Sequence, residues 1–233
     1  MIKNGTVIDG TGNPRYTADI LVKEDKIVKI GNISDEDGAE VIDASGLVAA
    51  PGFIDTHSHS DLQILVNPEV APKVMQGITT EILGQDGISM APLPVEYISP
   101  WRKNLAGLDG DSDKINWEYK NTEGYLKMLE EVKPGLNECY LVPHGNIRME
   151  AMGLENRLPN EEELQKMRDI TRREMEAGAI GLSTGLIYMP CAYSEAKEII
   201  EMCKVVAEFD GNFVIHQRSE ADTILESMEE VIK

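Results

Sequence analysis

From about residue 51 to its end, the sequence alternates short apolar stretches with longer amphipathic ones. The short stretches predict buried strands and the longer ones predict helices, an order that favours a parallel sheet or a (β/α) barrel. A closed barrel of this kind needs eight strands, whereas this sequence supplies about five. Five strands alone leave an apolar edge, so either the fold is a different one or the remaining strands lie outside this sequence. The predicted strands are Gly52–Ile54, Thr80–Leu83, Cys139–Val142, Ala179–Leu182 and Phe213–Ile215.

The segments between and after these strands predict three helices and one long connection. Asn160 is a good N-cap with Glu163 three residues later, which marks the start of the first helix. A second helix is predicted from Ser194, because an apolar stripe of helical spacing follows it, and residues 219–233 predict a third. Residues 92–120 are polar, hold both tryptophans and show weak periodicity, so they form either a lid over a site or a surface excursion.

The first 50 residues have a different pattern, in which apolar and polar residues alternate with the period of a strand. A polar turn at residues 23–26 separates two such stretches and predicts a β-hairpin. We therefore expect a small antiparallel sheet over residues 1–50 and a second domain over residues 51–233. The apolar residues that flank the turn are Ile20, Val22, Ile27 and Ile30.

The charge balance argues against two classes of partner. With 41 acidic and 22 basic residues, the formal net charge is −19, which repels phosphate backbones and anionic lipid. We therefore expect neither nucleic acid nor a membrane as a partner. The sequence also contains no run of about 18 apolar residues, which is the length needed to span a bilayer. The three cysteines show no paired spacing and the N-terminus has no apolar signal region, which together predict a soluble protein of the cytoplasm.

Two of the four histidines, His57 and His59, directly follow the first predicted strand of the second domain. Alternate residues of a strand face the same way, so both imidazoles can point to the carboxyl end of a barrel. Two imidazoles in that place suit a borderline divalent metal such as zinc. The alternative is a pair of unrelated surface histidines, because this spacing also occurs without a metal.

Asp86 and His216 follow the second and fifth predicted strands. Asp86 lies at a junction flanked by Gly84 and Gly87, where the backbone can bend closely around a metal, although Asp-Gly is also a common turn signal. Functional groups of barrel enzymes collect at the carboxyl ends of strands, which favours His216 as a ligand over a buried core histidine.

His144 and Tyr188 lie after the third and fourth predicted strands. His144 could line the site, orient a neighbouring group or serve only in packing. The phenol of Tyr188 could hydrogen-bond a substrate carbonyl or the oxyanion that develops from it, or it could pack on the rim.

Four segments together resemble the amidohydrolase superfamily and, within it, the D-aminoacylase (N-acyl-D-amino-acid deacylase) family. The resemblance follows the chain in order over its whole length. The opening segment marks many amidohydrolases, whereas the third segment and the later His-x-Arg are more typical of the deacylases. The segments are IKNGTVIDGTG (residues 2–12), APGFIDTHSH (50–59), GLSTGLIY (181–188) and HQRSE (216–220).

The resemblance implies an α/β fold with a TIM-like barrel, and a small β-sandwich to which residues 1–50 contribute. It implies one or two zinc ions, or another divalent metal, at the carboxyl ends of the strands. Carried over by position, the metal ligands are His57, His59, Asp86 and His216. Tyr188 matches a tyrosine that contacts substrate and assists catalysis, and we assign His144 to substrate binding.

Two departures from the family pattern stand out. The family carries a metal-binding Cys where this chain has Asp86, and a carboxylate is a harder ligand than a thiolate, which affects metal preference. The family's ligand His from strand six and its catalytic Asp from strand eight would lie beyond Lys233. We therefore expect a fragment, or one chain of an enzyme completed by a second polypeptide, that alone neither folds well nor turns over substrate.

The activity that the resemblance implies is zinc-dependent hydrolysis of a linear amide bond, with an N-acyl-D-amino acid as the small-molecule substrate. A cyclic amide hydrolase of the dihydropyrimidinase or dihydroorotase type is the alternative. Its metal-bridging carbamylated lysine would follow strand four, where this sequence has residues 183–185 and no lysine. A non-catalytic half that binds a partner barrel is a third alternative, suggested by the open strand edge.

Overall fold

The structure is a computed structural model that describes residues 1–34 and 38–232. The chain forms two compact units, which divide after Phe53. Among the described helices, none combines the length and the apolar character that crossing a bilayer would require.

The first unit is built on a five-stranded sheet. Its strands are β1 (Ile2–Val7), β2 (Tyr16–Lys23), β3 (Lys26–Gly31), β4 (Ile42–Asp43) and β5 (Val48–Ala49). The first three strands pair antiparallel, whereas β4 and β5 each pair in parallel with β1. The prediction of a wholly antiparallel sheet was therefore wrong for the last two strands, because strands this short carry no alternation from which their direction could be inferred.

The hairpin predicted around residues 23–26 is present. Ile20 lies opposite Ile30 and Val22 lies opposite Ile27 across β2 and β3. Glu24 in the turn adopts a left-handed backbone conformation with φ 56°, which reverses the chain within two residues. The inner face of this sheet buries Val7, with Ala18 and Ile20 beside it.

The second unit contains a parallel sheet whose spatial order is the reverse of the chain order, from β10 back to β6. Parallel strands joined by helices make the partial (β/α) barrel that the sequence predicts. The fourth strand begins and ends later than predicted, because the Ala179 N–H still bonds to the Glu174 carbonyl at the end of the preceding helix. The strands are β6 (Phe53–Asp55), β7 (Ile78–Leu83), β8 (Asn137–Pro143), β9 (Gly181–Gly185) and β10 (Asn212–His216).

The eight α-helices among the described residues all belong to the second unit. The capping box predicted at Asn160 and Glu163 is present, with backbone–side-chain distances of 2.9 and 2.8 Å. Ser194 does not cap the next helix, because its hydroxyl donates to the Cys191 carbonyl instead, and the last helix begins later than residue 219. The helices are α1 (Gln63–Val66), α2 (Ala71–Val74), α3 (Ile98–Leu105), α4 (Thr122–Val132), α5 (His144–Met152), α6 (Glu161–Glu176), α7 (Ala196–Ala207) and α8 (Ile224–Ile232).

Residues 92–120 contribute several buried side chains to the core of the second unit, and the rest of the segment lies at the surface. Trp101 and Trp117 are buried, and α3 lies inside this segment. The Trp101 indole N–H donates to the Ser89 carbonyl at 2.8 Å, so the ring is fixed as well as buried. The segment packs with β7, β8 and α4 around one apolar cluster.

The two ends of the parallel sheet are open, in contrast to its middle. Leu141 and Leu182 of the central strands β8 and β9 are at most 1% exposed, whereas Ile54 on β6 is 61% exposed and Phe213 on β10 is 38% exposed. An apolar cleft of about 400 Å³ also remains between α7, β10 and α8. Apolar side chains at both sheet ends are thus left without the cover that a closed barrel would give them.

The capping box gives a direct test of how α6 is held. Asn160→Ala removes the acceptor for the Glu163 N–H, and we expect the free energy of unfolding to fall by about 1 kcal/mol. Denaturant unfolding of the full chain measures this loss. Asn156→Ala, at an exposed position in the preceding turn, is the matched control, and an equal loss in both variants would refute the capping role.

Candidate metal centre

Three strand ends of the parallel sheet carry the four predicted metal ligands. His57 and His59 follow β6, Asp86 follows β7, and His216 is the last residue of β10. The carboxyl ends of parallel strands lie at one face of such a sheet, and there these side chains meet.

Asp86 is at the centre of this group. Its Oδ2 lies 3.2 Å from His59 Nε2 and 3.6 Å from His57 Nε2, and its Oδ1 lies 3.7 Å from His216 Nδ1. Ligand atoms of His57, His59 and Asp86 all lie within 4.8 Å of one another. The structure therefore brings together the four residues that the sequence singled out, and three of them are close enough to contact one ion.

The chemistry of this group fits a divalent metal. Burial raises the pKa of Asp86, but the hydrogen bond from His59 and the charges of the three imidazoles lower it by more. The net pKa lies below the usual range, so Asp86 is an ionised carboxylate at neutral pH. Three imidazole nitrogens and one carboxylate are a donor set that suits zinc and other borderline divalent ions.

The position of Asp86 depends on an unusual local backbone. Asp86 has a left-handed conformation, φ 58° and ψ 18°, which is costly for a residue with a side chain. Gly84 and Gly87 on either side also have positive φ, 77° and 72°. A Cβ at Gly84 would collide with the Leu141 carbonyl, so the turn packs directly on the backbone of β8.

Ser183 on β9 holds this turn from behind, and the sequence analysis did not identify it. The buried Ser183 hydroxyl donates to the Gly84 carbonyl and accepts from the Gly87 N–H at 3.0 Å, so one side chain ties both ends of the turn. A Cβ at Gly185 would collide with the Asp86 carbonyl. The sequence signal for this role is the run of small residues at 183–185, which directly follows the predicted fourth strand.

Tyr188 lies beside the imidazole of His216. Its hydroxyl is 3.4 Å from His216 Nδ1, and the two rings meet edge to face with centroids 5.0 Å apart. An open cleft of about 460 Å³ adjoins the group and is lined by His57, Asp86 and His216, with Gln217 and apolar residues of α8. The phenol is therefore close enough to the candidate ligands to reach a molecule bound there.

His144 differs from the prediction that it contacts substrate. It begins α5, its side chain is 0% exposed, and both ring nitrogens have partners inside the protein: Thr184 Oγ1 at 2.7 Å and Glu198 Oε1 at 2.6 Å. Glu198 also accepts from the buried Arg148 guanidinium at 2.5 Å. His144 therefore belongs to a buried ionic network behind β9, which corresponds to the orienting or packing role left open by the sequence.

A buried pair of acidic residues, Asp61 and Asp109, lies near His59 and was not predicted from the sequence. Asp61 and Asp109 are 0% and 3% exposed, and a carboxylate oxygen of each lies within 4.8 Å of one His59 nitrogen. Burial and the neighbouring Asp61 raise the pKa of Asp109 to about 8. Asp61 stands two residues after His59, but Asp109 comes from a distant polar segment, and nothing in the sequence pairs the two.

The parallel (β/α) sheet thus carries three histidines and a carboxylate at the carboxyl ends of its strands. The family model described as "Amidohydrolase family" matches residues 40–219. The chain belongs to this family.

Several relatives match the whole chain. It is 36% identical to a D-aminoacylase of Alcaligenes xylosoxydans xylosoxydans and 37% identical to an N-acyl-D-aspartate deacylase of the same organism. Both matches cover 100% of this chain, but 47% and 46% of those proteins. The chain thus spans about half the length of the curated relatives it matches.

Solved structures agree with this assignment. An N-acyl-D-glutamate deacylase from Bordetella bronchiseptica, complexed with zinc and a phosphonate inhibitor, matches with a TM-score of 0.87 and 38% identity over 99% of this chain and 47% of that one. A D-aminoacylase structure matches with a TM-score of 0.86 and 34% identity over 98% of this chain and 47% of that one. The TIM-like fold inferred from the sequence is confirmed by these neighbours.

The Ser183 contacts lead to a test of how the Asp86 turn is positioned. Ser183→Ala removes both bonds to the turn, so we expect the affinity for Zn²⁺ to fall about 10- to 100-fold, as is typical when supporting contacts of a metal ligand are lost. Competition with a chromogenic chelator measures the affinity. Ser194→Ala, which removes a buried hydroxyl elsewhere, should leave it unchanged, and equal affinities in all three proteins would disprove the role of Ser183.

The ionic network behind β9 gives a pH-dependent prediction. Burial lowers the pKa of His144, but Cys191 and Glu198 raise it by more, so that it is about 9 against 6.5 for the free side chain. A raised folded-state pKa contributes stability below pH 6.5 that is lost as the pH rises through about 9. We expect wild type to lose up to about 3 kcal/mol relative to His144→Asn across this window. Urea unfolding at several pH values measures the difference, and parallel curves would contradict the prediction.

Proposed function

We propose that this chain supplies the metal-binding half of an amidohydrolase that removes the acyl group from N-acyl-D-amino acids. The observation that carries the proposal is the convergence of three imidazoles on Asp86 at one end of a parallel sheet. The substrate class is supported by the relatives, whose names describe D-aminoacylase and deacylases of N-acyl-D-aspartate and N-acyl-D-glutamate.

We propose that the metal, one or two zinc ions, is held by His57, His59, Asp86 and His216. When bound, the metal supplies a Lewis acid for the attacking water and for the amide carbonyl. The role of Asp86 in this group is to bring a negative charge between three imidazoles, which favours a dipositive ion over a monovalent one. The bound zinc in the related Bordetella deacylase supports this choice of metal.

Tyr188 is the catalytic and substrate-binding group that we propose from this chain. Its hydroxyl is near His216 and its side chain is only partly buried, so it can donate a hydrogen bond to an oxygen held beside the imidazole. Burial, followed by the charges of Asp86 and Glu220, raises the pKa of Tyr188, so the phenol keeps its proton at neutral pH. A donor aimed at the developing oxyanion lowers the barrier more than it tightens ground-state binding.

We also propose that further strands, from the same or a second polypeptide, complete the barrel. Apolar side chains are exposed at both ends of the sheet, and Leu225 and Ile232 on α8 are 71% and 79% exposed. The relatives are about twice as long as the stretch that this chain matches, which supports a missing half. The general base would come from that half, as the resemblance to the deacylases implies.

We also propose a location in the cytoplasm. The cysteines at positions 139, 191 and 203 are all free thiols, which fits a reducing compartment.

Activity in the completed barrel tests this function. We expect the chain, produced together with the polypeptide that supplies the remaining strands, to release free amino acid from N-acetyl-D-glutamate or N-acetyl-D-aspartate in a zinc-dependent manner. His216→Asn should abolish the activity with loss of metal. Turnover of a dihydropyrimidine or hydantoin instead would favour the cyclic amide alternative, and a stable complex that binds zinc but turns over neither substrate class would favour a non-catalytic half.

The substitution Tyr188→Phe distinguishes the contribution of the phenol to catalysis from that of the metal. In the same complex we expect kcat to fall about 100- to 1000-fold while metal content stays constant, because one oxyanion donor is lost. Tyr193→Phe removes a hydroxyl from the same connection and should leave kcat unchanged. If Tyr188→Phe raised KM and left kcat unchanged, the phenol would only bind the substrate.

A further inference from the structure

Asp61 and Asp109 form a buried acidic pair next to the candidate metal centre. The two come from separate parts of the chain, Asp61 from the connection before α1 and Asp109 from the connection after α3. Both carboxylates are almost completely removed from solvent, and the Gln63 side chain fixes the Asp109 backbone by donating to its carbonyl at 2.9 Å. The pair is therefore a packed feature of the second unit and not a chance meeting of surface groups.

Most of the carboxylate oxygens in this pair have no hydrogen-bond donor. Asp61 Oδ1 accepts from the Gly84 N–H at 2.8 Å and from the Ser89 hydroxyl. Asp61 Oδ2 and both oxygens of Asp109 accept from none of the residues that the structure describes, and His59 Nδ1 is likewise unpartnered. Among the described residues, four buried atoms that can act as ligands are thus left unsatisfied, which is unfavourable unless a further group contacts them.

The protein offers this pair no partner that would neutralise it when both carboxylates are ionised. Protonation of Asp109, whose pKa is raised to about 8 by burial and by Asp61, lowers the charge of the metal-free pair, but none of the described residues donates to either of its oxygens. A lysine or arginine could pair with the two carboxylates, but none in the described part of the chain forms an ion pair with either residue, although the exposed Asp113 does have one. When both are ionised, the pair therefore requires a counter-charge from a bound ion.

We propose that Asp61 and Asp109, together with His59, bind a second divalent cation that is separate from any ion at Asp86. One ligand atom from each of the three residues lies within 4.8 Å of the others, a spacing that a single ion can bridge with bonds of about 2.0–2.4 Å. Two carboxylates balance the charge of a divalent ion. The oxygen-rich donor set suits manganese, magnesium or zinc more than softer metals.

His59 stands between the two groups and couples them. Its Nε2 lies 3.2 Å from Asp86 Oδ2, while its Nδ1 has no hydrogen-bond partner among the described residues. A neutral imidazole has a single lone pair, so the two carboxylates carry the second cation whenever His59 binds the first. The inference extends the proposed function, but its central ligands Asp61 and Asp109 take no part in the group around Asp86.

Counting bound ions in the full chain tests the second cation. The metal-free protein is dialysed against Mn²⁺, and bound manganese is measured by mass spectrometry and by electron paramagnetic resonance. We expect Asp109→Asn to bind one equivalent fewer than wild type. Asp113→Asn, which alters an exposed carboxylate in the same connection, is the control and should bind as many ions as wild type.

A second measurement guards against a loss of folding. Without metal and at a pH above about 8, where Asp109 is ionised, Asp109→Asn should melt at a higher temperature than wild type, because it removes one charge from a repelling buried pair. Added Mn²⁺ should then raise the melting temperature of wild type more than that of the variant. Equal manganese content in wild type and Asp109→Asn, with equal thermal shifts, would overturn the proposal.

A third variant separates this proposal from the proposed function. His57→Asn weakens the group at Asp86 but leaves Asp61 and Asp109 intact, so it should keep the manganese that Asp109→Asn loses. If Asp109→Asn loses one ion and His57→Asn loses none, the second cation is supported and the metal centre at Asp86 is in doubt. If His57→Asn loses an ion and Asp109→Asn does not, the second cation is wrong and the proposed function is unaffected.

Discussion

The strained turn at Asp86 is the feature on which the rest of the site depends. A carboxylate in a left-handed backbone conformation can face three imidazoles only if its surroundings compensate the strain. Two neighbouring glycines, the backbone of β8 and the hydroxyl of Ser183 all act on this one turn. The imidazoles in turn keep Asp86 ionised despite its burial, so structure and electrostatics support each other.

The fourth strand of the parallel sheet, β9, supports the Asp86 turn, a role that was not predicted from its sequence. All five residues of β9 are buried and four of them are small, and the strand approaches the Asp86 turn so closely that a Cβ at Gly185 would not fit. Behind it, Thr184 connects to His144, and His144 connects through Glu198 to Arg148. This arrangement places a buried ionic network behind the strand that supports the candidate metal centre. We therefore expect that disrupting the network would shift β9 and, through it, the Asp86 turn.

The parallel sheet brings the candidate ligands together although both of its edges are exposed. Strands β6, β7 and β10 bring the four candidate ligands together, even though apolar residues at the two ends of the sheet are exposed. The ligand group is therefore built from both edge strands, β6 and β10, and from β7 beside β6, and the described residues place no further strand in this sheet. The family model matches residues 40–219, and the chain spans about half the length of the curated relatives it matches.

The sequence by itself determined the barrel class, the hairpin at β2 and β3, and the candidate ligands. Each of these depends on local period or on residues at strand ends, and such signals are written along the chain. Only the tertiary structure decided the roles of Ser183, His144 and Asp109. Their partners lie tens of residues away along the chain, and a hydroxyl, an imidazole or a carboxylate acquires its role from what folding places beside it.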